Sequence, residues 1–275
     1  MQKVSQFDVD PAREYVRVRQ SFTKEFLEVV RKQMVLDSAL DVGCGVGYFS
    51  EFLSELGFPV VALEGREEHV AEAKRRHPAI TFMTKNVEDQ TLPQLGTFDF
   101  VLCYGLLYHL ENPFQAIRNL HALTRKLLMI ETMCVPGTNP IFELLDEYQS
   151  ENQGLNYVAL YPTESGVLKM LYRAGFPFVY RFRRLRLDGQ FETTLWRKKS
   201  RTILAASKIE LAVPNLVLAR EPVRMVTGRR DPWTTTPWRI WDFCWNRRLG
   251  KMFRWIKQRR RGVSQLSADA NGRTG

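Results

Sequence analysis

The sequence predicts an α/β fold in which a mostly parallel sheet is covered by helices. Two observations indicate this class. Short apolar segments alternate with amphipathic segments over much of the chain, and the first apolar segment runs directly into a glycine-rich turn. Such alternation is typical of parallel sheets, because parallel neighbours need a crossover that is usually a helix. With 275 residues and 44% hydrophobic composition, the chain can bury a substantial core.

A leading helix is predicted from Asp10, which can cap it, with Pro11 in its first turn and Phe22 and Phe26 at helical spacing. The following strands and helices alternate in the order ALDVG (39–43), YFSEFLSEL (48–56), PVVALEG (59–65), REEHVAEAKRRH (66–77), AITFMT (79–84), FDFVLCYG (98–105), NPFQAIRNLHALT (112–124) and KLLMIET (126–132). A further helix, ESGVLKMLYRAG (164–175), precedes two last strands, FPFVYRF (176–182) and RTILAAS (201–207).

Composition divides the chain into four predicted parts. These are a helical lead-in (1–34), an α/β domain (35–210), a basic, tryptophan-rich amphipathic appendage (211–262) and a disordered tail (263–275). Within the α/β domain, the proline- and aromatic-rich segment 133–162 breaks the alternation and is expected to fold over the active site. The N-terminus lacks a signal-peptide pattern and no apolar run reaches the about 20 residues of a membrane span, which predicts a cytoplasmic protein. The four cysteines have no metal-site or disulfide spacing.

The glycine-rich turn lies in ALDVGCGVGYF (39–49). Glycines there let a ligand approach the backbone and are expected to present unpaired N–H groups at a positive helix end, which indicates a nucleotide site. Glu64 ends the next strand, where an acid can accept both ribose hydroxyls. The dinucleotide pattern G-x-G-x-x-G fails, because Tyr48 occupies the position of its third glycine. Asp41 would repel a pyrophosphate but suits the ammonium and sulfonium of S-adenosylmethionine.

At these residues the chain resembles the class I S-adenosylmethionine-dependent methyltransferases: LDVGCGVGYFS is similar to their motif I, FMTKNVED to their adenine-side loop and FDFVLCYGLLYHLENP to their strand-four motif. The resemblance implies a Rossmann-like three-layer sandwich with a mostly parallel, seven-stranded sheet whose last strand is antiparallel. It implies Asp41 and Gly43 near the methionine end, Glu64 on the ribose and Asn86 with Val87 near adenine. The cofactor-binding residues expected are Asp41, Gly43, Cys44, Gly45, Gly47, Glu64, Gly65, Asn86, Val87, Cys103 and Tyr104.

A second resemblance lies in YGLLYHLENPFQAIRNL, LMIET and YPTESGVLKMLYRAGF, which are similar to the catalytic domain of the tRNA wobble-uridine carboxymethyltransferases. That family uses a carboxylated S-adenosylmethionine, and Tyr108 matches one of its cofactor-facing tyrosines. The resemblance implies a tRNA-modifying enzyme as an alternative function.

Methyl transfer from a sulfonium needs alignment and exclusion of water, and no metal or covalent nucleophile. A base helps if the acceptor is a hydroxyl, and His109, just beyond strand four, is the best candidate. Tyr108 and His109 are therefore the predicted catalytic residues. Glu131, at the end of strand five, is a weaker candidate for substrate contact.

The net charge of +10 resides in the C-terminal segment, where residues 224–261 contain twelve Lys or Arg and two acids. Trp238, Trp241 and Trp245 begin an apolar stripe at helical spacing. Three roles remain open for this segment: packing on the α/β domain, docking on an anionic membrane surface, and contact with RNA phosphates.

The sequence thus predicts an S-adenosylmethionine-dependent methyltransferase acting on a small molecule or lipid. The alternatives are a tRNA-modifying transferase and a non-catalytic module that senses the cofactor or binds RNA or a membrane.

Overall fold

A computed structural model describes residues 10–146, 155, 157–183, 185, 187, 190–191 and 200–223, with side chains from residue 14 onward. The helices are α1 (Asp10–Val30), α2 (Tyr48–Glu55), α3 (Glu67–Arg76), α4 (Pro113–Leu123) and α5 (Glu164–Ala174). The strands are β1 (Ala39–Val42), β2 (Val60–Glu64), β3 (Thr81–Thr84), β4 (Phe98–Tyr104), β5 (Thr124–Met133), β6 (Phe142–Asp146), β7 (Val158–Pro162), β8 (Phe178–Phe182), β9 (Arg201–Ser207) and β10 (Leu216–Leu218).

The main sheet has eight strands in the order β10-β8-β9-β5-β4-β1-β2-β3. Strands β1 to β5 pair in parallel, whereas β9 is antiparallel to both β5 and β8. The predicted Rossmann-like class and the antiparallel RTILAAS strand are therefore confirmed. The predicted count of seven is one short, because β10 adds an antiparallel edge strand beside β8. The sheet thus extends past residue 210, where the α/β domain was expected to end.

Side chains alternate between two cores on opposite faces of the sheet, as expected for buried strands. In β4, Val101 joins the core under α4 and α5, whereas Phe100 and Leu102 join the core under α1 and α2. In α1, Phe22 and Phe26 are buried and contact the Phe182 ring edge-on, at centroid distances of 4.9 and 5.1 Å. The predicted lead-in helix is therefore part of the sheet domain's core.

The segment after β5 contains a hairpin that the sequence did not predict. Strands β6 and β7 form a separate two-stranded antiparallel sheet. All five residues of β6 are exposed, and Leu144 is 68% exposed. The sequence did not indicate this strand, because FELLD does not alternate apolar and polar residues as a half-buried strand does.

Candidate functional site

The glycine-rich turn connects β1 to α2 with three left-handed glycines: Gly43, Gly45 and Gly47 have φ values of 76°, 55° and 95°. The expectation of unpaired amides is wrong for four residues of this turn. Gly43 and Cys44 donate to the Leu63 carbonyl at 2.8 and 3.0 Å, Gly45 donates to the Glu64 carboxylate, and Gly47 donates to the Cys44 carbonyl. The turn is thus held by hydrogen bonds to β2 and within itself, and its glycines allow close backbone approach.

An open pocket lies at the carboxyl ends of the parallel strands. Six of the predicted site residues line it: Gly43, Glu64, Gly65, Asn86, Val87 and His109. Lys85, Leu106 and Leu155 also line it, which the sequence did not indicate. Leu155 belongs to the segment that was expected to cover the active site, and one of its methyl groups lies 3.2 Å from where a Cβ on Gly65 would be.

Gly43 and Gly47 have different reasons to lack a side chain. A Cβ on Gly43 would lie 2.9 to 3.2 Å from three Leu106 side-chain atoms, beside the pocket that both residues line. A Cβ on Gly47 would lie 2.8 Å from the His77 ring and 3.1 Å from the Phe82 ring. Gly47 therefore permits ring packing behind the turn.

Glu64 lies at the end of β2 with both carboxylate oxygens engaged by the backbone. Oε2 accepts from the Gly45 amide at 2.9 Å, and Oε1 accepts from the Arg66 amide at 3.0 Å. A carboxylate offers about four acceptor positions, so these bonds fix its orientation and leave capacity for a ligand's hydroxyl groups. Asn86 follows β3, and its side-chain oxygen accepts from the Glu88 amide, which orders the loop at the pocket.

Asp41 lies within β1 at 3% exposure, where its carboxylate accepts a 2.7 Å hydrogen bond from the Ser50 hydroxyl. Burial raises the pKa of Asp41 to about 7, although Ser50 opposes the shift; the nearby Glu64 adds to it. Ser50 was not predicted. Its position on α2, just after the glycine turn, is where a hydroxyl can reach back to the strand.

We expect Asp41→Asn to flatten the pH dependence of stability. The folded pKa of about 7 exceeds the 3.8 that is usual for an exposed aspartate, so the folded protein holds a proton that the unfolded chain releases between those values. This stabilisation is fully present below pH 4 and is lost as the pH rises through 7. Denaturant unfolding at several pH values should show the wild type losing at most about 4 kcal/mol relative to Asp41→Asn between pH 4 and 8. Asp37→Asn, at an exposed site, is the control, and parallel curves for wild type and Asp41→Asn would contradict the assignment.

The remaining predicted cofactor residues lie in the core beside the pocket. Cys44 and Cys103 are 9% and 1% exposed, and burial raises the pKa of both thiols, which keeps them neutral. Tyr104 is 7% exposed and its hydroxyl lies 3.1 Å from that of Thr23 on α1. None of these three lines the pocket, so their predicted cofactor contact remains a prediction.

The two predicted catalytic residues form a short 3-10 turn after β4 with their ring centroids 4.0 Å apart. His109 lines the pocket. Tyr108 is 7% exposed and contacts the Tyr161 ring on β7 at 5.5 Å. Burial raises the pKa of Tyr108, so its phenol is neutral near pH 7 and suits hydrogen bonding better than proton abstraction.

A buried charge cluster lies beside this turn, and we call it the Glu131 cluster. Glu131 is fully buried; its two oxygens contact Arg19 at 3.1 Å and Arg201 at 2.8 Å. The Tyr15 hydroxyl donates to Glu131 at 3.3 Å, and the Arg201 guanidinium lies 5.6 Å from the Tyr108 ring centroid. The cluster consists of Tyr15, Arg19, Tyr108, Glu131 and Arg201.

The sequence contains a signal for part of this cluster in the spacing of residues along α1. Tyr15, Arg19, Phe22 and Phe26 are spaced by four, three and four residues, which places Arg19 on the apolar face of α1. An arginine on such a face needs a buried partner.

The described part of the chain lacks a membrane-spanning helix and a metal-binding cluster. No helix there is long and apolar enough to cross a bilayer. The same residues contain no group of three or more His, Cys, Asp or Glu side chains that could hold a metal ion.

Sequence comparison identifies a known domain within this fold. Residues 40–127 match the family described as "Methyltransferase domain". The ubiquinone biosynthesis O-methyltransferase of Vibrio parahaemolyticus is 33% identical over 91 residues, 31% of this chain and 38% of that protein. The protein of the same name from Xanthomonas campestris is 35% identical over 98 residues, 34% of this chain and 41% of that protein. The chain thus spans about two fifths of the length of these relatives.

Solved structures share the fold at low identity. The N-terminal domain of EvdMO1 with SAH bound has a TM-score of 0.57 at 19% identity, covering 72% of this chain and 84% of that one. An S-adenosylmethionine-dependent methyltransferase from Clostridium acetobutylicum has a TM-score of 0.53 at 14% identity, covering 74% and 94%. Residues 40–127 are therefore similar to a methyltransferase domain, and the chain has the class I S-adenosylmethionine-dependent methyltransferase fold.

Proposed function

We propose that this protein transfers a methyl group from S-adenosylmethionine directly to a small-molecule acceptor. The observation that supports the proposal best is the pocket beside the glycine turn, with Gly43, Glu64, Asn86 and His109 around one opening. The proposed cofactor contacts are a glycine-rich turn for the methionine part, an acid at the end of β2 for the ribose and a polar loop after β3 for the adenine.

The residues present fit the cofactor. Gly43 leaves space that a Cβ would fill, Glu64 offers an oriented carboxylate for the ribose hydroxyls, and Asn86 with Val87 lines the pocket and is proposed to contact the adenine. When bound, S-adenosylmethionine supplies a methyl group activated by a sulfonium. Glu64 provides negative charge that suits this cation, and Asp41, whose pKa is raised to about 7 by burial, adds to it when deprotonated.

His109 is proposed as the base that accepts a proton from a hydroxyl of the acceptor. It lines the pocket, and histidine is the side chain that most often serves as a general base. The neutral Tyr108 beside it is proposed to orient the acceptor through its hydroxyl. The hairpin β6–β7 contributes Tyr161 against Tyr108, and Leu155, between its strands, lines the pocket, which supports a role in excluding water.

A small-molecule acceptor is preferred over tRNA because the named curated relatives are O-methyltransferases of ubiquinone biosynthesis. The described residues end at residue 223. The basic segment 224–261, the remainder of the predicted appendage and the predicted tail therefore lie outside them. The docking of the basic segment on an anionic membrane surface, its contact with RNA, and a cytoplasmic location for the protein stay predictions.

The function is tested by incubating the protein with methyl-labelled S-adenosylmethionine and an extract of its own cells, then separating small molecules and lipids from RNA. We expect label in a small molecule or lipid. Label confined to RNA would replace the proposal with the tRNA alternative. Binding of S-adenosylhomocysteine without any labelled product would favour a cofactor-sensing module.

We expect Glu64→Gln to weaken S-adenosylhomocysteine binding about 10- to 150-fold in calorimetry, because hydrogen bonds to a charged acceptor contribute about 1.5–3 kcal/mol. Glu67→Gln is the matched control, since Glu67 is exposed at the start of α3. An unchanged dissociation constant for Glu64→Gln would remove Glu64 from the cofactor site.

A further inference from the structure

We propose that the Glu131 cluster recognises a carboxylate on the methyl acceptor, so that the preferred acceptors are aromatic compounds carrying an acidic group. The proposal rests on the proposed function and names the class of acceptor that this site would select.

The first argument is charge. Arg19 and Arg201 both contact Glu131, so the described side chains of the cluster have two positive charges and one negative charge. The side chains of both arginines are mostly buried, at 10% and 13% exposure. Burying a charge that lacks compensation is costly, and one more anion at this place would balance the cluster.

The second argument is donor geometry. A guanidinium has five N–H donors arranged for bidentate contact with carboxylates. Glu131 uses one nitrogen of each arginine, the Arg19 Nε donates to the Tyr15 carbonyl at 3.4 Å, and Arg201 also hydrogen-bonds Tyr108 and, through Nε, the Gln190 side chain at 3.1 Å. The other N–H groups of the two guanidiniums are those considered for a second carboxylate. Two guanidiniums held rigidly by one buried carboxylate form a preorganised site for a second carboxylate.

The third argument is the surroundings. The Arg201 guanidinium lies 5.2 Å from the Tyr15 ring centroid and 5.6 Å from that of Tyr108. Tyr15 and Arg201 are partly exposed, so the cluster can be reached from solvent. Tyrosine rings beside guanidinium groups suit a planar aromatic acid, whose ring would contact the tyrosines while its carboxylate contacts the arginines.

The fourth argument is position. Glu131 pairs with Tyr104 at the carboxyl ends of β5 and β4. Tyr108 belongs to the cluster and the next residue, His109, lines the cofactor pocket. An acceptor whose acid is held at the arginines would therefore place its other end toward His109 and the cofactor.

Calorimetry on the full chain saturated with S-adenosylhomocysteine tests this, with 3,4-dihydroxybenzoate and its uncharged methyl ester as probes. We expect the acid to bind at least tenfold more tightly than the ester to the wild type. Arg201→Gln should reduce this ratio to near one, and Arg201→Lys should restore part of it. Arg173→Gln, which removes an exposed arginine of α5, should keep the wild-type ratio.

Three outcomes would overturn the proposal. One is equal or undetectable binding of both probes to the wild type, and another is an acid-to-ester ratio that Arg201→Gln leaves intact. The third is a matching rise in the dissociation constant of S-adenosylhomocysteine itself, which would assign the arginines to the cofactor's own carboxylate. Thermal unfolding of each variant checks that it folds. Failure of S-adenosylhomocysteine to bind the wild type would instead contradict the proposed function.

Discussion

Gly43→Val is expected to abolish detectable binding of S-adenosylhomocysteine in calorimetry while the protein still folds. Gly43 has a φ of 76°, which a β-branched residue adopts only with strain, on the order of 1–3 kcal/mol. In addition, its Cβ would lie within 2.9 to 3.2 Å of Leu106 side-chain atoms, so either Leu106 moves into the pocket or the turn moves away from it.

Gly57→Val separates these two effects. Gly57 has a similar φ of 84°, but a Cβ there would meet nothing within 4 Å. We expect this variant to lose comparable stability in thermal unfolding and to bind S-adenosylhomocysteine as the wild type does. A dissociation constant for Gly43→Val within threefold of the wild type would show that the space beside Leu106 is not used by the ligand.

Glu131→Ala is expected to lower the free energy of unfolding by about 3–5 kcal/mol, the usual cost of removing one partner from a buried ion pair. The substitution leaves Arg19 and Arg201 facing each other in the core without the carboxylate that joins them. Urea denaturation should show a lower midpoint with an unchanged slope.

The matched control is Glu143→Ala, because Glu143 is exposed on β6 and its loss should change stability by less than about 0.5 kcal/mol. Glu131→Gln should fall between the two, since it keeps two polar atoms but removes the charge. A loss below about 1 kcal/mol for Glu131→Ala would mean that water or other groups solvate the two guanidiniums.

The predictable parts of this fold were those with a strong local pattern. The run from Ala39 to Glu64 contains a buried strand, a glycine turn, an amphipathic helix and a second strand, and each has a signal of its own. Local signals also stand at both ends of α5, since Thr163 caps it by accepting from the Gly166 amide and Gly175 ends it in the left-handed conformation.

Three features could not be predicted, each for a physical reason. Strand β10 has only three residues and lies at the edge of the sheet, so too few positions are present for a pattern to be recognised. Strand β6 of the hairpin exposes its apolar residues, contrary to the expectation for a strand. The spacing in α1 indicates that Arg19 needs a buried partner, but Glu131 and the residues that contact it lie 112 and 70 positions apart, and only the folded topology identifies the pairing.

Because β9 is antiparallel to its neighbours, the proposed acceptor contact and the candidate cofactor contacts come from distant parts of the sequence. Because β9 is antiparallel to β5, its first residue, Arg201, lies opposite Met133, at the end of the sheet where the parallel strands finish. A parallel strand would have placed that residue at the opposite edge. The candidate cofactor contacts come from β1, β2 and the loops near them, whereas Arg201 lies more than a hundred residues later. Under the proposed function, substitutions at the start of β9 would change the acceptor contact during evolution without changing the segments proposed to hold the methyl donor.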